Sequence, residues 1–304
     1  MKEIRHVVTR DEAGRTVAAL LHAHAGVSHR TAKGMIDAGR VEVDGTPATD
    51  PATRPRVGAT LLARFDPGRR YQPAHRAKRE TPWYRLVLDD PAFLVVDKPA
   101  GVLTVPAGEP DGDSLVERLL VEEKPDRRTR ALWVVHRIDK HVSGLVVFAR
   151  SPAALDNLRL QFATRSVLRQ YLAICEGYPH AAEGELVSYL KENPKSLKMM
   201  PARPGEGDRA VLRYRVVERL GRATVLEVRL ETGRRNQIRV QFAQIGCPLV
   251  GDVAYGTPSP LLTRVALHAA RLEFKHPETG AAVICEAPVP ADLGQALARL
   301  RAEA

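Results

Sequence analysis

The chain has 304 residues, 44% of them apolar and 27% charged, a composition that fits a folded globular protein and excludes a disordered one. Neither a membrane-spanning apolar run nor the apolar core of a secretory signal is visible, so we expect a cytoplasmic protein with no membrane partner. The net charge of +10 and the pI near 9.8 point to a polyanionic partner.

The N-terminal segment predicts two short helices followed by a hairpin. The first helix lies in TVAALLHAHAG. The second is capped by Ser28, runs to about Ala38 and is ended by Gly39. A strand over 41–43 then meets Asp44-Gly45, which is a hairpin turn signal.

This order of elements resembles the S4 RNA-binding module over roughly residues 14–65. Residues 1–80 hold 15 lysines or arginines against 9 acidic residues, 15 − 9 = +6 of the total excess. The resemblance implies phosphate contacts from His29, Arg30, Lys33 and Arg40. The residues alone also allow an ordinary solvated helix face. With the resemblance, we expect an S4-like α/β RNA-binding domain at residues 1–65.

A segment rich in Pro, Gly and Arg, DPGRRYQPAHRAKRETP, predicts an exposed linker at residues 66–82. The remainder, 83–304, alternates short strand patterns with few helices, so we expect a large mixed, mostly antiparallel β-sheet with flanking helices. One of those helices begins at Ser151-Pro152 and runs to about Arg165. The expected fold class is therefore α+β.

The segment RRNQIRVQFAQIG predicts a helix with an apolar face formed by Ile238, Phe242 and Ile245. Arg235 and Arg239 are four residues apart and are expected to share a second face. Two like charges one turn apart disfavour a helix by roughly 0.2–0.5 kcal/mol, which suggests an anion nearby.

One acid, Asp139, lies among basic residues in the loop between the predicted strands Leu132–Val135 and Leu145–Ala149. By position alone it would be a turn aspartate bonded to its own backbone. The stretch HRIDKHVSGL, however, resembles the HRLDxxTSGL signature of the RluA-type pseudouridine synthases. Similar segments follow in order over residues 83–290: DKPAGVLTVP, RQYLAICEG, ETGRRNQIRVQFAQIGCPLVGDVAYG and LHAARLEFKHPETG.

The resemblance implies a catalytic set of Asp139, Tyr171 and Arg239. Asp139 would start the isomerisation of uridine by attacking sugar or base or by taking a sugar proton, routes that the residues do not distinguish. Tyr171 would stack on the target base, although a tyrosine in an apolar strand is usually a core residue. Arg239 would pair with Asp139 and keep it ionised.

The resemblance further implies that Arg137 enters the RNA as the base leaves its stack, although an exposed arginine can equally form a surface salt bridge. We place Arg234 and Arg235 on RNA phosphates; the alternative for this cluster is a solvated helix start. Three positions depart from the family pattern: Ile138 for Leu, Val142 for Thr and Asn236 for His. Lys98 and Pro99 are expected to shape the rim of the site.

No cofactor or metal is expected. The reaction is an isomerisation without redox change, and the cysteines Cys175, Cys247 and Cys285 lack metal-site spacing. The histidine pairs His22/His24 and His136/His141 lack further ligands, and His136 is interpreted as structural.

We therefore expect an RNA pseudouridine synthase, monomeric, acting on large-subunit ribosomal RNA or, failing that, on transfer RNA. A non-catalytic RNA-binding or ribosome-assembly factor is the alternative, disfavoured because pure binding does not need the catalytic set. A glycoside or nucleoside hydrolase is also disfavoured. Such an enzyme would normally need a second carboxylate across the scissile bond, and no paired acid is evident near Asp139.

Overall fold

A computed structural model describes residues 2–37, 39–48, 51–67, 81–106, 114–122 and 132–303, without the side chains of Arg30, Asp37 and Glu122. The chain divides into two compact units, residues 1–76 and 77–304. Most of the predicted linker, and Ala38 at the predicted helix end, lie outside the described residues.

The N-terminal unit packs two helices on one antiparallel sheet. Its elements are β1 (Lys2–Val7), α1 (Val17–Ala25), α2 (His29–Asp37), β2 (Val41–Val43), β3 (Thr46–Pro47) and β4 (Thr60–Phe65). The strand order is β1-β4-β2-β3. Apolar residues of both helices and of β2 and β4 share one buried core, so this small unit has a hydrophobic core of its own.

Local signals set these boundaries. The hydroxyl of Thr16 accepts from the Ala19 N–H at 3.2 Å at the start of α1, and the hydroxyl of Ser28 accepts from the Thr31 N–H at 3.1 Å at the start of α2. Asp44 and Gly45 have φ of 50° and 78°, the left-handed pair that a two-residue hairpin requires. The two predicted helices and the hairpin are thus confirmed.

The C-terminal unit is built around one large sheet. Its elements are β5 (Arg85–Asp89), β6 (Phe93–Lys98), α3 (Leu115–Glu122), β7 (Trp133–Val134), β8 (Ser143–Ala149), α4 (Pro152–Ala163), β9 (Leu168–Glu176), β10 (Glu183–Glu192), β11 (Met199–Ala202), β12 (Asp208–Leu220), β13 (Ala223–Leu230), α5 (Gln237–Gln244), β14 (Leu267–Lys275), β15 (Ala282–Glu286) and α6 (Ala291–Ala302). The main path runs β11-β10-β12-β13-β9-β14-β8-β6-β5, with β15 on β14 and β7 on β8. Only the β14–β8 pairing of the described strands is parallel, which confirms the mixed, mostly antiparallel α+β prediction.

Strand β8 explains the apolar run that follows Asp139 in the sequence. Val146 and Phe148 point into one buried cluster, while Leu145 and Val147 point into the cluster on the opposite face. A strand with both faces covered has no polar side, so its sequence is continuously apolar. The loop that carries Asp139 therefore enters the rigid centre of the sheet.

Two expectations about elements were incomplete. Strands β10, β11, β14 and β15 of the C-terminal unit were not predicted; β10, for example, alternates exposed and partly buried residues and lacks an apolar run. In α5, Ile238 and Phe242 are buried as predicted, but Ile245 lies at the helix end and is 40% exposed. No helix in the described part of the chain has the length and apolar character of a membrane span.

Candidate active site

The loop bearing Asp139 is fixed by backbone hydrogen bonds on both sides of the acid. The Thr104 hydroxyl donates to the Ile138 carbonyl at 2.8 Å and accepts from the Ile138 N–H at 3.3 Å. The Val142 N–H donates to the Asp139 carbonyl at 3.1 Å. Within the described residues, the Asp139 carboxylate makes no hydrogen bond to this backbone, unlike a turn-stabilising aspartate. The Asp139 carboxylate is therefore free to contact a partner other than its own backbone.

Lys98 supports the same loop from inside the protein. Its side chain is fully buried, and its amino group donates to the carbonyls of Pro99 at 2.9 Å, Val102 at 2.7 Å and Lys140 at 3.3 Å. Burial lowers the pKa of Lys98 to about 7, and Asp139 opposes that shift. Lys98 thus lies beneath the loop, not at the rim where the sequence had placed it.

The partner of Asp139 is Arg239, whose Nη1 lies 3.5 Å from Asp139 Oδ2. The same guanidinium donates to Asp252 twice, from Nε and Nη2, each at 2.7 Å. Burial alone would lower the pKa of Arg239, but the hydrogen bonds and charge of Asp252 outweigh it and raise that pKa. Arg239 therefore stays charged and presents one amino group to Asp139.

Asn236, which departs from the family pattern, holds Arg239 from a third side. Its Oδ1 accepts from Arg239 Nη1 at 3.0 Å, and its Nδ2 donates to the Tyr255 hydroxyl at 3.1 Å. The guanidinium carbon of Arg239 lies over the Tyr255 ring, 5.1 Å from the ring centroid. The Asn236 amide thus helps to fix the position of the Arg239 guanidinium.

Asp252 was missed by the sequence analysis. Its side chain is fully buried, and besides Arg239 it accepts from the N–H groups of Ala254 at 3.1 Å and Tyr255 at 3.3 Å. The signal available was an acid in the apolar segment CPLVGDVAYG, since a buried carboxylate needs a cation. Which arginine supplies that cation was not visible in the sequence.

Asp139, Tyr171 and Arg239 line one cavity of about 490 Å³. The Tyr171 side chain is buried in β9, with only 8% of the residue exposed. Burial raises the pKa of its phenol to about 12, a shift that Arg169 opposes and Asp139 reinforces. The phenol is neutral at physiological pH, and its ring borders a space large enough for a nucleoside.

Two cavity-lining arginines, Arg165 and Arg169, were not predicted. Arg165 follows α4 with φ of 59°, a strained conformation for a residue with a side chain. Arg169 contacts the carbonyls of Leu230 at 3.3 Å and Glu231 at 3.4 Å, and its Nε has no hydrogen-bond partner among the described residues. The cavity wall therefore carries more positive charge than the motifs indicated.

Arg137 and Arg234 also line the cavity and are exposed, whereas Arg235 is not among the lining residues. Arg234 Nη1 lies 3.3 Å from Asp208, and Arg235 Nη2 lies 2.6 Å from Glu192. The expectation that Arg235 and Arg239 share a helix face is wrong. Asn236 has φ of 54° and caps α5, so Arg235 precedes the helix and points to the β10–β11 hairpin.

His136 accepts a hydrogen bond at Nε2 from the Val147 N–H at 3.1 Å, and its ring stacks on Phe162. Burial, with a smaller effect from Arg169, lowers the pKa of His136 to about 3. The imidazole is neutral and ties the loop to β8. This geometry fits the structural role that the sequence analysis gave it.

In the N-terminal unit, the exposed side of α2 carries His29 and Lys33, one turn apart, and Arg40 is exposed after the helix. The opposite side of α2 buries Ala32, Met35 and Ile36. The Arg30 side chain lies outside the described residues. The other three residues predicted to contact phosphate, His29, Lys33 and Arg40, are thus exposed and can reach a partner.

The sequence and fold match known proteins. Residues 92–244 match the family model for RNA pseudouridylate synthase, and residues 17–61 match the S4 domain. The chain is 39% identical over 242 residues to the ribosomal large subunit pseudouridine synthase D of Xanthomonas campestris pv. campestris, covering 75% of this chain and 72% of the relative. It is 37% identical over 236 residues to the Zymomonas mobilis protein of the same name, covering 73% and 74%. The structure of human RNA pseudouridylate synthase domain containing 4 superposes with a TM-score of 0.59 at 21% identity, covering 71% of this chain and 92% of that one, which shows a shared fold.

Proposed function

This chain belongs to the RNA pseudouridylate synthase family and carries an S4 domain, and from that premise we propose that it modifies large-subunit ribosomal RNA with Asp139 as its catalytic residue. Family membership makes the chain an isomerase that converts uridine in RNA to pseudouridine. The placement of the Asp139 carboxylate, free of its own backbone and facing Arg239 at 3.5 Å in the cavity, supports the proposed catalytic role.

The reaction breaks the N1–C1′ bond of uridine, turns the base and joins C5 to C1′. The proton on C5 is released, and N1 gains one, so the product has the composition of the substrate. No oxidant and no net water are consumed. An ionised carboxylate is the reactive group in the proposal, and the neighbouring Arg239 favours the charged form.

A uridine within folded RNA must leave its stack before it can enter the cavity, at a cost of a few kcal/mol. Tyr171, at the cavity wall, is proposed to receive the base by stacking, worth about 1–3 kcal/mol. Arg137 is proposed to occupy the space the base leaves. Arg165 and Arg169 extend the proposed contacts, because both line the cavity.

The remaining basic residues are proposed to hold the RNA by its phosphates. Arg234 and Arg235 lie in exposed ion pairs that phosphate oxygens can replace at little cost, since such pairs contribute about 0–1 kcal/mol. His29, Lys33 and Arg40 form the proposed contacts of the S4 domain, together with Arg30.

The names of the bacterial relatives support large-subunit ribosomal RNA as substrate over transfer RNA. A ribosomal RNA substrate implies a cytoplasmic site of action, and the proposal takes the monomer as the acting species. Light scattering of the purified protein with and without RNA tests whether the protein is a monomer.

The decisive experiment measures tritium release from C5 of labelled uridine in two transcripts, large-subunit ribosomal RNA and a transfer RNA pool. We expect the wild-type protein to release tritium from the ribosomal transcript. The Asp139→Asn variant should release none while binding the RNA within a few-fold of wild type. Asp156→Asn, which neutralises an exposed acid on α4, serves as the matched control and should keep full activity.

Near wild-type activity of Asp139→Asn would refute the catalytic role. Release from transfer RNA alone would refute the substrate and leave the reaction intact. Chemical mapping of pseudouridine in cells with and without the gene then locates the modified uridine.

A further inference from the structure

Two histidine side chains of the N-terminal unit meet at one carboxylate, forming a three-residue cluster that does not belong to the cavity lined by Asp139. His6 lies on β1, His24 lies on α1, and Glu12 lies in the single turn of 3-10 helix between them, Arg10–Glu12. His6 Nε2 is 2.7 Å from Glu12 Oε2, and His24 Nε2 is 2.5 Å from Glu12 Oε1. The ligand atoms of these three side chains all lie within 4.8 Å of one another.

Glu12 is preorganised for this position. The residue is only 8% exposed, and its Oε2 also accepts from the Thr9 N–H at 3.0 Å and the Thr9 hydroxyl at 3.2 Å. The carboxylate is thus held in a fixed position by Thr9.

The two imidazoles are arranged as a pair. Their rings stack with centroids 3.6 Å apart and an interplanar angle of 19°, and each directs Nε2 to a different oxygen of the same carboxylate. A tetrahedral metal ion about 2.0–2.2 Å from each of these atoms would hold them about 3.3–3.6 Å apart, so binding would replace the two hydrogen bonds and move each imidazole away from the carboxylate by roughly 0.6–1.1 Å. The His24 side chain is 33% exposed, which gives an ion a path in and leaves room for a water ligand.

We propose that His6, Glu12 and His24 bind a divalent transition-metal ion, with zinc as the first choice, in the S4-bearing unit. Two imidazole nitrogens and one carboxylate form a donor set that suits zinc and cobalt and is poor for magnesium or calcium, which prefer oxygen. In the sequence His24 stands nearest to His22, a pair with too few further ligands for a metal. The fold instead turns His24 toward His6, 18 residues earlier in the chain.

The bound ion would link β1 to α1. Ile4 of β1 packs against the core that the buried residues of α1 help to form. Because the unfolded chain does not hold these three ligands together, binding stabilises the folded unit. The proposed role is structural and separate from the catalytic reaction.

The test uses the full-length protein without an affinity tag, in reducing buffer, with Zn²⁺ in calorimetry and Co²⁺ in visible absorption. We expect one bound ion per chain and a visible Co²⁺ absorption band that is absent for Co²⁺ in buffer containing no protein. His6→Gln, Glu12→Gln and His24→Gln should each lower the affinity at least tenfold, because loss of even a supporting group around a metal costs about 10–100-fold. His22→Gln is the matched control on the same helix: its imidazole bonds the Val27 carbonyl at 2.7 Å and lies outside the cluster.

A second measurement on the wild-type protein does not depend on how the variants fold. Zn²⁺ should protect His6 and His24, but not His22, from diethyl pyrocarbonate, as read by peptide mass spectrometry. Zn²⁺ should also raise the midpoint of thermal unfolding. Absence of protection, or an affinity unchanged in all three ligand variants, would overturn the metal site and leave a carboxylate held by two histidines.

Discussion

Arg239 and Asp252 form a two-point ion pair, with Nε–Oδ2 and Nη2–Oδ1 distances of 2.7 Å each. The Asp252 side chain is fully buried, and the Arg239 side chain is 11% exposed. This pair fixes the guanidinium so that its remaining amino group faces Asp139. The contact between Arg239 and Asp139, the proposed catalytic residue, therefore depends on an acid more than a hundred residues further along the chain.

Asp252→Asn should destabilise the C-terminal unit by up to about 3–5 kcal/mol, because it removes the buried carboxylate that accepts two hydrogen bonds from Arg239 and leaves only Asp139, at 3.5 Å, beside that charge. Urea unfolding followed by circular dichroism measures this loss, and tritium release should fall with it. Asp292→Asn is the control: Asp292 pairs with Arg264 through two bonds of 2.7 and 2.9 Å but is 48% exposed, so water can replace it. Equal losses in both variants would contradict the role of burial.

Tyr171→Leu should lower the rate of isomerisation by the loss of base stacking, about 1–3 kcal/mol or about 5–150-fold. Tyr171→Phe keeps the ring and should retain most of the activity if stacking is the main contribution. Single-turnover tritium release compares the two. A Phe variant as impaired as the Leu variant would assign the effect to the phenol hydroxyl.

Gly144→Ala should unfold the C-terminal unit or cost more than about 4 kcal/mol. Gly144 has φ of 117°, and a Cβ there would lie 2.3 Å from the Ala269 carbonyl oxygen, where β8 and β14 pair in parallel. Gly280→Ala is the control, because Gly280 also has positive φ, 70°, but has open space around it. The free energy of unfolding of that variant should fall by only about 1–2 kcal/mol, the cost of placing alanine in the left-handed conformation. Similar losses at both positions would rule out the steric contact.

Acid should destabilise the C-terminal unit partly through His136, whose folded pKa of about 3 lies below the ordinary value of 6.5. The unfolded state takes up a proton below pH 6.5 that the folded state refuses until about pH 3, so this stability is present above pH 6.5 and is lost as the pH falls. One such proton gives a slope of about 1.4 kcal/mol per pH unit. Urea unfolding between pH 7 and 5 should show a slope smaller by about one proton in His136→Gln. Unchanged slopes would mean that His136 titrates normally.

Lys33→Gln and Arg40→Gln should each reduce the salt dependence of RNA binding by close to one counterion, a change in slope of about 0.7–0.9. Filter binding at several salt concentrations gives the slope. Lys2→Gln removes an exposed lysine of the same unit that is not a predicted phosphate contact, and it should leave the slope unchanged. Parallel lines for all four proteins would show that α2 and Arg40 do not contact phosphate.

Much of the fold was predictable because its signals are local. Helix caps, the Asp-Gly hairpin and the apolar run of β8 each depend on neighbours in the chain, and they gave the correct elements. The prediction failed where this signal is weak: β10 lacks an apolar run, and the left-handed Asn236 interrupts what periodicity alone presents as one helix from Arg235.

The amino-acid sequence by itself determined the fold class, the family and the candidate acid Asp139, since these depend on composition, pattern and motif. Tertiary structure decided which charges meet: Arg239 with Asp252, Lys98 with the loop carbonyls, and His6 with Glu12 and His24. The physical reason is that an ion pair or ligand cluster depends on distance and burial. Many arginines and acids in this chain are chemically equivalent partners until the sheet order selects among them.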